Sequence, residues 1–237
     1  MSLKENEIKE IFNSTGIKNF GFVHKTLYDS GAPSGHMISD LLPTAQSALV
    51  YILPVNRDIV DTFPQDFAGE HYEAYVQEKK KVTEKLFEAG NKLVTTFKEN
   101  GFDALIVPKG SREYMGWISL KHLGYYAGLG VFGRNSLLLN PVYGPYLRIS
   151  AVLTEYNPSE FGTFIDLGQI CHDCNKCIAN CPAHALEIPQ KEEMYRILKE
   201  KCHRYFCKMR NREYISENAN VNCGLCRQVC PVGKNRE

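Results

Sequence analysis

The first 170 residues contain no cysteine, although nine cysteines occur among the last 67 of the 237. That absence excludes a disulfide framework or a thiolate-bound metal from the larger part of the chain. Other absences narrow the field further. The opening "MSLKENEIKEIF" is charged and lacks the apolar run and small-residue cleavage site of a secretion signal. No stretch approaches the roughly 18 apolar residues of a membrane span. Net charge is only +1, so no overall field recruits nucleic acid or an anionic surface. The composition, 43% hydrophobic and 23% charged, is that of an ordinary globular protein, and a cytoplasmic location is expected. Positive charge gathers late: residues 191–237 hold 11 Lys/Arg against six Glu, a solvated face or a contact for an acidic partner.

In a reducing compartment an odd number of clustered cysteines points to metal or redox chemistry rather than disulfides. The composition break divides the chain into a body, residues 1–165, and a cysteine-rich module, residues 166–237. In the body, "NEIKEIFNSTG" reads as a short amphipathic helix, and "NFGFVH", "SALVYILPV" and "FDALIVP" read as strands. Tyr72, Tyr75, Val76, Lys79, Val82, Leu86, Leu93 and Phe97 recur at helical spacing and predict a long helix from about 70 to 99, stopped by Asn100-Gly101. "SLLLN-PVYG-PYLRISAVLTE" reads as two strands paired across a Pro/Gly turn. Helices and strands interleave, so the body is expected to be an α/β or α+β layer.

Gly128-Leu129-Gly130-Val131-Phe132-Gly133 formally matches a dinucleotide-binding fingerprint. The preceding "YMGWISLKHLGYYA" has helical spacing, however, and "SLLLNP" after it is strand-like. Helix, loop, strand is the reverse of the order a pyrophosphate site requires. The glycines instead suit tight turning and close backbone approach.

The module carries the clearest chemistry. "CHDCNKCIANCP" sets Cys171, Cys174, Cys177 and Cys181 in the C-x2-C-x2-C-x3-C-P run of bacterial iron–sulfur proteins, and "CGLCRQVCP" adds Cys223, Cys226 and Cys230. Three thiolates at every third residue wrap one cubane, while the cysteine before proline serves the other cluster. This predicts one set of Cys171, Cys174, Cys177 and Cys230. The second contains Cys181, Cys223, Cys226 and an eighth ligand, Cys202 or Cys207, both in "KCHRYFCK". Four-thiolate zinc is the plain alternative, but it explains neither the third cysteine of each run nor the C-P endings.

Together with these runs, "LLPTAQSALVYILPV", "HYEAYVQEKKKVTEKL" and "AGLGVFGRNSLLLNPVYGPYLRISAVLTE" make the chain resemble epoxyqueuosine reductases and, more distantly, cobalamin-dependent reductive dehalogenases. The resemblance implies a nitroreductase-like α/β body with a C-terminal two-[4Fe–4S] ferredoxin-like module and a cobalamin between them. One cluster would take electrons from a low-potential donor such as ferredoxin or flavodoxin, and the other would reduce cobalt to Co(I), which reduces the substrate. It implies Cys202 as the eighth ligand, since "EKCHRY" stands where the family has its isolated cysteine. It also implies that Gly128, Gly130 and Gly133 let backbone approach the corrin while Arg134, Asn135 and Ser136 offer it hydrogen bonds.

The resemblance breaks at two points. "GSREYMGWISLKHLG" has no aspartate where epoxyqueuosine reductases carry their proton donor; Glu113 and Tyr114 fall closest, and Tyr114 is the candidate, as in the dehalogenases. The chain also stops seven residues after Cys230, without the helical-repeat extension expected to hold tRNA, so tRNA is not assigned as a partner. No D-x-H-x-x-G occurs to present a histidine to cobalt. Two further functions are weighed: an electron-transfer or reductive-activation protein serving a partner enzyme, and an FMN-binding reductase.

Overall fold

The computed structural model describes residues 5–62, 69–108, 117–165, 170–171, 173–190, 193–211 and 223–233. Its centre is an antiparallel four-stranded sheet clad by helices on both faces. In chain order the body comprises α1 (Glu5–Thr15), β1 (Asn19–His24), α2 (Lys25–Asp29), α3 (Ile38–Leu41), β2 (Ser47–Pro54), α4 (Arg57–Asp61), α5 (Gly69–Glu99) and β3 (Ala104–Ile106). It continues with α6 (Leu120–Tyr126), β4 (Val131–Phe132), β5 (Leu138–Leu139) and β6 (Leu147–Thr154). The sheet order is β1-β2-β6-β3.

The period-2 alternation of β2 feeds two cores. Leu49, Tyr51 and Leu53 face α1 and α5, packing with Phe12, Leu86, Leu93 and Phe97. Ala48, Val50 and Ile52 face the other way, toward Tyr28, Ile38 and Leu123 of α2, α3 and α6. Cover on both faces explains why "SALVYIL" is buried at every position although its neighbours run antiparallel.

The long periodic helix is α5, 31 residues. It stops as its sequence predicts: Gly101 takes φ +85°, its N–H donates to Lys98 O at 3.0 Å, and Phe102 N–H donates to Phe97 O at 3.0 Å. This is the double bond of a glycine-terminated helix. The expected pairing across the Pro/Gly turn is corrected. Leu138–Leu139 pairs with β4, whereas β6 crosses into the main sheet between β2 and β3. The turn holds only one bridge, Asn140 to Gly144, because the eight-residue apolar β6 gains more by burial on both sheet faces.

Beyond the body lie α7 (Lys176–Ala179), β7 (Leu186–Glu187), β8 (Arg196–Ile197), α8 (Lys199–Met209) and α9 (Leu225–Gln228), with β7 and β8 antiparallel. Phe206, Cys223 and Leu225 of this region join the core that α5 and β2 build, so the sequence break is bridged by shared packing.

Gly90 generates a stability prediction. A glycine-to-alanine change inside a helix normally stabilises by up to about 1 kcal/mol. Here a Cβ would lie 2.6 Å from the Tyr51 hydroxyl and 2.9 Å from Ile106 Cδ1. Tyr51 is fully buried, and its hydroxyl donates to Leu86 O at 3.1 Å, so it has little freedom to retreat. Gly90→Ala should destabilise by about 1–2 kcal/mol, the cost of overpacking. Denaturant unfolding measures this, and a raised midpoint would contradict the packing described.

Candidate iron–sulfur centre and adjoining cleft

Each cysteine run delivers its thiols on a loop that turns into one short helix, so three cysteines of a run cannot lie apart. Cys177 begins the second residue of α7 and Cys226 that of α9. Gly224, at φ +78°, makes the second turn possible; a Cβ there would lie 3.2 Å from the Tyr75 hydroxyl.

The thiols gather in two overlapping groups, with Cys226 feeling both Cys177 and Cys181. The Cys177 thiol lies among Cys171, Cys230 and Cys174; burial, then these neighbours, push it up to about 11. Cys202 shares a hydrogen bond with Cys223 and also feels Cys226 and Cys181. In that pair Cys202 is pushed up and Cys223 down, to about 7, because one thiol donates to the other. Burial carries Cys226 up to about 12. Cys181 Sγ accepts from Ala185 N–H at 3.3 Å. Cys207 stands elsewhere, buried on α8 with its Sγ 3.5 Å from His203 Nε2. Four thiols at one place resist joint ionisation, and iron is the kind of positive charge that would lift this resistance. Among the described residues no three His, Cys, Asp or Glu side chains converge as ligands of a single metal ion. A cubane asks for a wider set, one thiolate at each corner.

The second cysteine loop is fastened to the body at many points. The buried Arg227 donates from Nε to Pro145 O at 3.0 Å and from Nη1 to the Tyr75 hydroxyl at 2.8 Å. The Tyr146 hydroxyl lies 3.1 Å from Asp61 Oδ1, 3.3 Å from Gln228 O and 3.4 Å from Cys230 O. Gln228 Nε2 donates to Asp61 O at 2.8 Å, and Arg57 Nη1 to Gly233 O at 3.1 Å.

The glycine loop joins in. Arg134 donates to Asn175, between Cys174 and Cys177, and Asn135 Nδ2 donates to Cys226 O at 3.3 Å. Asn135 and Ser136 are 3% and 1% exposed. Ser136 O and Oγ accept from Lys121 Nζ at 2.5 and 3.1 Å. The glycines make room for the chain itself: a Cβ on Gly128 would strike Thr163 O, on Gly130 Leu139 O, and on Gly133 the Leu139 side chain. The loop therefore clasps both cysteine loops, and its polar side chains are engaged within the protein. Tyr114 lies outside the described residues.

Residues not singled out by their sequence line a small cleft beside α6: Tyr28, His36, Ser119, His122 and Tyr126, with Gly31–Pro33, around about 80 Å³. Ser119 caps α6 and its Oγ lies 2.6 Å from His122 Nδ1. Its N–H donates to the Tyr28 hydroxyl at 2.8 Å. Burial, then Lys121 and Lys199, push the His122 imidazole down to about 4, so it is neutral at neutral pH. Burial raises Tyr28 to about 12. Lys121, next along α6, is lowered to about 8 by burial and then Lys199, with Cys226 opposing; its Nζ sits 4.9 Å from the Tyr195 ring centroid. Tyr195 stacks on Phe132 at 4.8 Å, which in turn packs on His122. The signal available in the sequence was a Lys-His pair inside the otherwise apolar "ISLKHLGYY".

Residues 170–234 match the 4Fe–4S dicluster domain family. The epoxyqueuosine reductase of Bacillus subtilis (strain 168) is 24% identical over 127 residues, covering 52% of this chain and 31% of that protein. A tetrachloroethene reductive dehalogenase of Desulfitobacterium hafniense is 34% identical over 91 residues, 29% of this chain and 16% of that one. The chain thus matches less than a third of the length of these curated relatives. Among solved structures, epoxyqueuosine reductase from Bacillus subtilis superposes with a TM-score of 0.61 at 21% identity, over 98% of this chain and 66% of that one. A catabolic reductive dehalogenase gives 0.66 at 19% identity, over 97% and 31%. At such identities the likeness shows a shared α/β fold. No helix among the described residues is long and apolar enough to cross a membrane. The cysteine runs and the matched domain make residues 170–234 a 4Fe–4S dicluster domain, in a chain similar to epoxyqueuosine reductases and reductive dehalogenases.

Proposed function

We propose that the protein is a low-potential iron–sulfur reductase with a nitroreductase-like body to about residue 165 and a two-cluster module beyond it. In this reading Cys171, Cys174, Cys177 and Cys230 hold one [4Fe–4S] cluster, and Cys181, Cys202, Cys223 and Cys226 hold the other. The observation that carries it is the 4Fe–4S dicluster domain matched over residues 170–234; Cys177 near Cys171, Cys174 and Cys230, Cys202 bonded to Cys223, and Cys207 apart on His203 support the assignment of ligands. The clusters, when bound, supply one-electron carriers.

The chain's own residues give the route a direction. Cys171 and Cys174 are half-buried, Cys174 between exposed Asp173 and Asn175, which supports approach of a ferredoxin- or flavodoxin-like donor to the first site. The second loop is pinned to the body, and from Cys226 the contacts run through Asn135, Ser136 and Lys121 to His122 in the cleft wall. There the phenol of Tyr28, the Ser119 hydroxyl and a neutral imidazole offer hydrogen bonds without fixed charge, which suits a small organic molecule of low charge.

A corrinoid is the second reading, favoured by likeness to a reductive dehalogenase structure described in terms of B12-dependent dehalogenation. Of the residues expected to hold it, Gly128 and Arg134 are half-buried. Gly130, Gly133, Asn135 and Ser136 are buried against the chain itself.

Two measurements test these readings. Anoxically purified protein should contain about eight iron and eight sulfide, two cubanes' worth. Cys202→Ser should lower both by about half and remove one cluster's EPR signal, whereas Cys207→Ser should leave them unchanged; the reverse pattern would reassign the eighth ligand. Titration with cobalamin should leave the corrin spectrum unshifted if the loop is purely structural, and stoichiometric binding would restore the corrin. Reduction of a small molecule by the isolated, donor-supplied protein would distinguish a reductase from an electron carrier serving a partner enzyme.

A further inference from the structure

On the α5 side of the sheet a different group of charges has no counterion among the described residues. Lys79 of α5 and Arg148 of β6 line an open pocket with Val76, Lys80, Thr83 and Glu84. Both cations are half-buried. Among the described residues neither head group meets a carboxylate or carbonyl acceptor; Lys79 Nζ rests 4.7 Å from the centroid of the Tyr75 ring. The one carboxylate in the lining, Glu84, is exposed and lies 3.9 Å from Lys80 Nζ. A third cation stands behind them: Arg227 donates to the Tyr75 hydroxyl at 2.8 Å. Burial, then Arg148 and Arg227, push Lys79 down to about 8, and burial with Arg227 lowers Arg148 as well. Half-buried like charges without a partner raise the free energy of the fold, and an anion entering the pocket would relieve it.

We propose that Lys79 and Arg148 form a small-oxyanion site that takes a phosphate or carboxylate group. The guanidinium offers a planar fork of donors to two oxygens, and the ammonium adds a compact charge beside it. Val76 adds aliphatic surface to the lining, and Lys80 pairs with Glu84 at 3.9 Å. The site does not depend on the reductase reading, although it adjoins the second cysteine loop. Tyr75 touches Lys79 with its ring and Arg227 with its hydroxyl, and Arg227 follows Cys226 directly in the chain.

Calorimetric titration of the anoxic, iron-loaded protein at low ionic strength tests it, with inorganic phosphate and succinate as separate probes and chloride at matched ionic strength as the control. Saturable one-to-one binding of phosphate, of succinate or of both is expected, and which probe binds identifies the oxyanion. Lys79→Met and Arg148→Met should each weaken binding by about ten-fold or more, the loss of one charge-assisted contact. Glu84→Gln, at an exposed position where folding is not at risk, should strengthen it several-fold. Iron content and the visible spectrum should match the parent protein in every variant. The proposal is overturned if neither probe binds saturably, if chloride binds equally, or if Lys79→Met and Glu84→Gln leave the affinity unchanged.

Discussion

The structure depends on how the second cysteine loop is seated against the body. A run of three cysteines is a short, polar-backboned loop that cannot hold its own shape. Here the shape is imposed from outside: Arg227 is anchored on Pro145 and Tyr75, Tyr146 meets the carbonyls of Gln228 and Cys230, and Asn135 holds Cys226. Most of these bonds are made to main-chain carbonyls, which fix where the backbone lies rather than which side chain it carries. The thiols of Cys223, Cys226 and Cys230 are aimed by that backbone. Because Cys230 sits with the first run and Cys181 with the second, the seating of one loop also places the other.

The electrostatics follow from the same seating. Thiols packed this closely oppose one another's ionisation, and the protein answers with cations held at short range but outside the thiol sets. Lys121 is felt by Cys226, with Lys199 beside that lysine, and Arg227 follows Cys226 in the chain and favours its thiolate. Arg227 is buried and Lys121 half-buried, so salt screens these two only weakly. The N–H from Ala185 to Cys181 sulfur acts in the same sense, favouring the more negative state of whatever that sulfur binds.

How much of this was legible in the sequence varies with the range of the interaction. Cysteine spacing is a local property, and it located the iron–sulfur module. The α5 stripe and its Asn100-Gly101 stop were equally local and reappear in the fold. Strand partners were not legible: nothing in "PYLRISAVLTE" says that it inserts between β2 and β3 instead of folding back on Leu138–Leu139. The glycine loop was noticed for a sound reason, since glycines mark close approach. A sequence cannot say what approaches, and here Leu139 and Thr163 of the same chain do. The His122 cleft and the Lys79–Arg148 pair were invisible for a simpler reason. Their members come from elements far apart in the chain, each unremarkable alone.

The shared core has one further consequence. Phe206, Cys223 and Leu225 close over the aromatic face of α5, so the same residues that shape the iron site also seal the body's apolar interior. Oxidative destruction of the inorganic core would loosen that seal and bare Tyr72 and Tyr75 to water. Damage to the redox centre would thereby be reported as sticky surface, the feature by which quality-control machinery recognises a spent molecule.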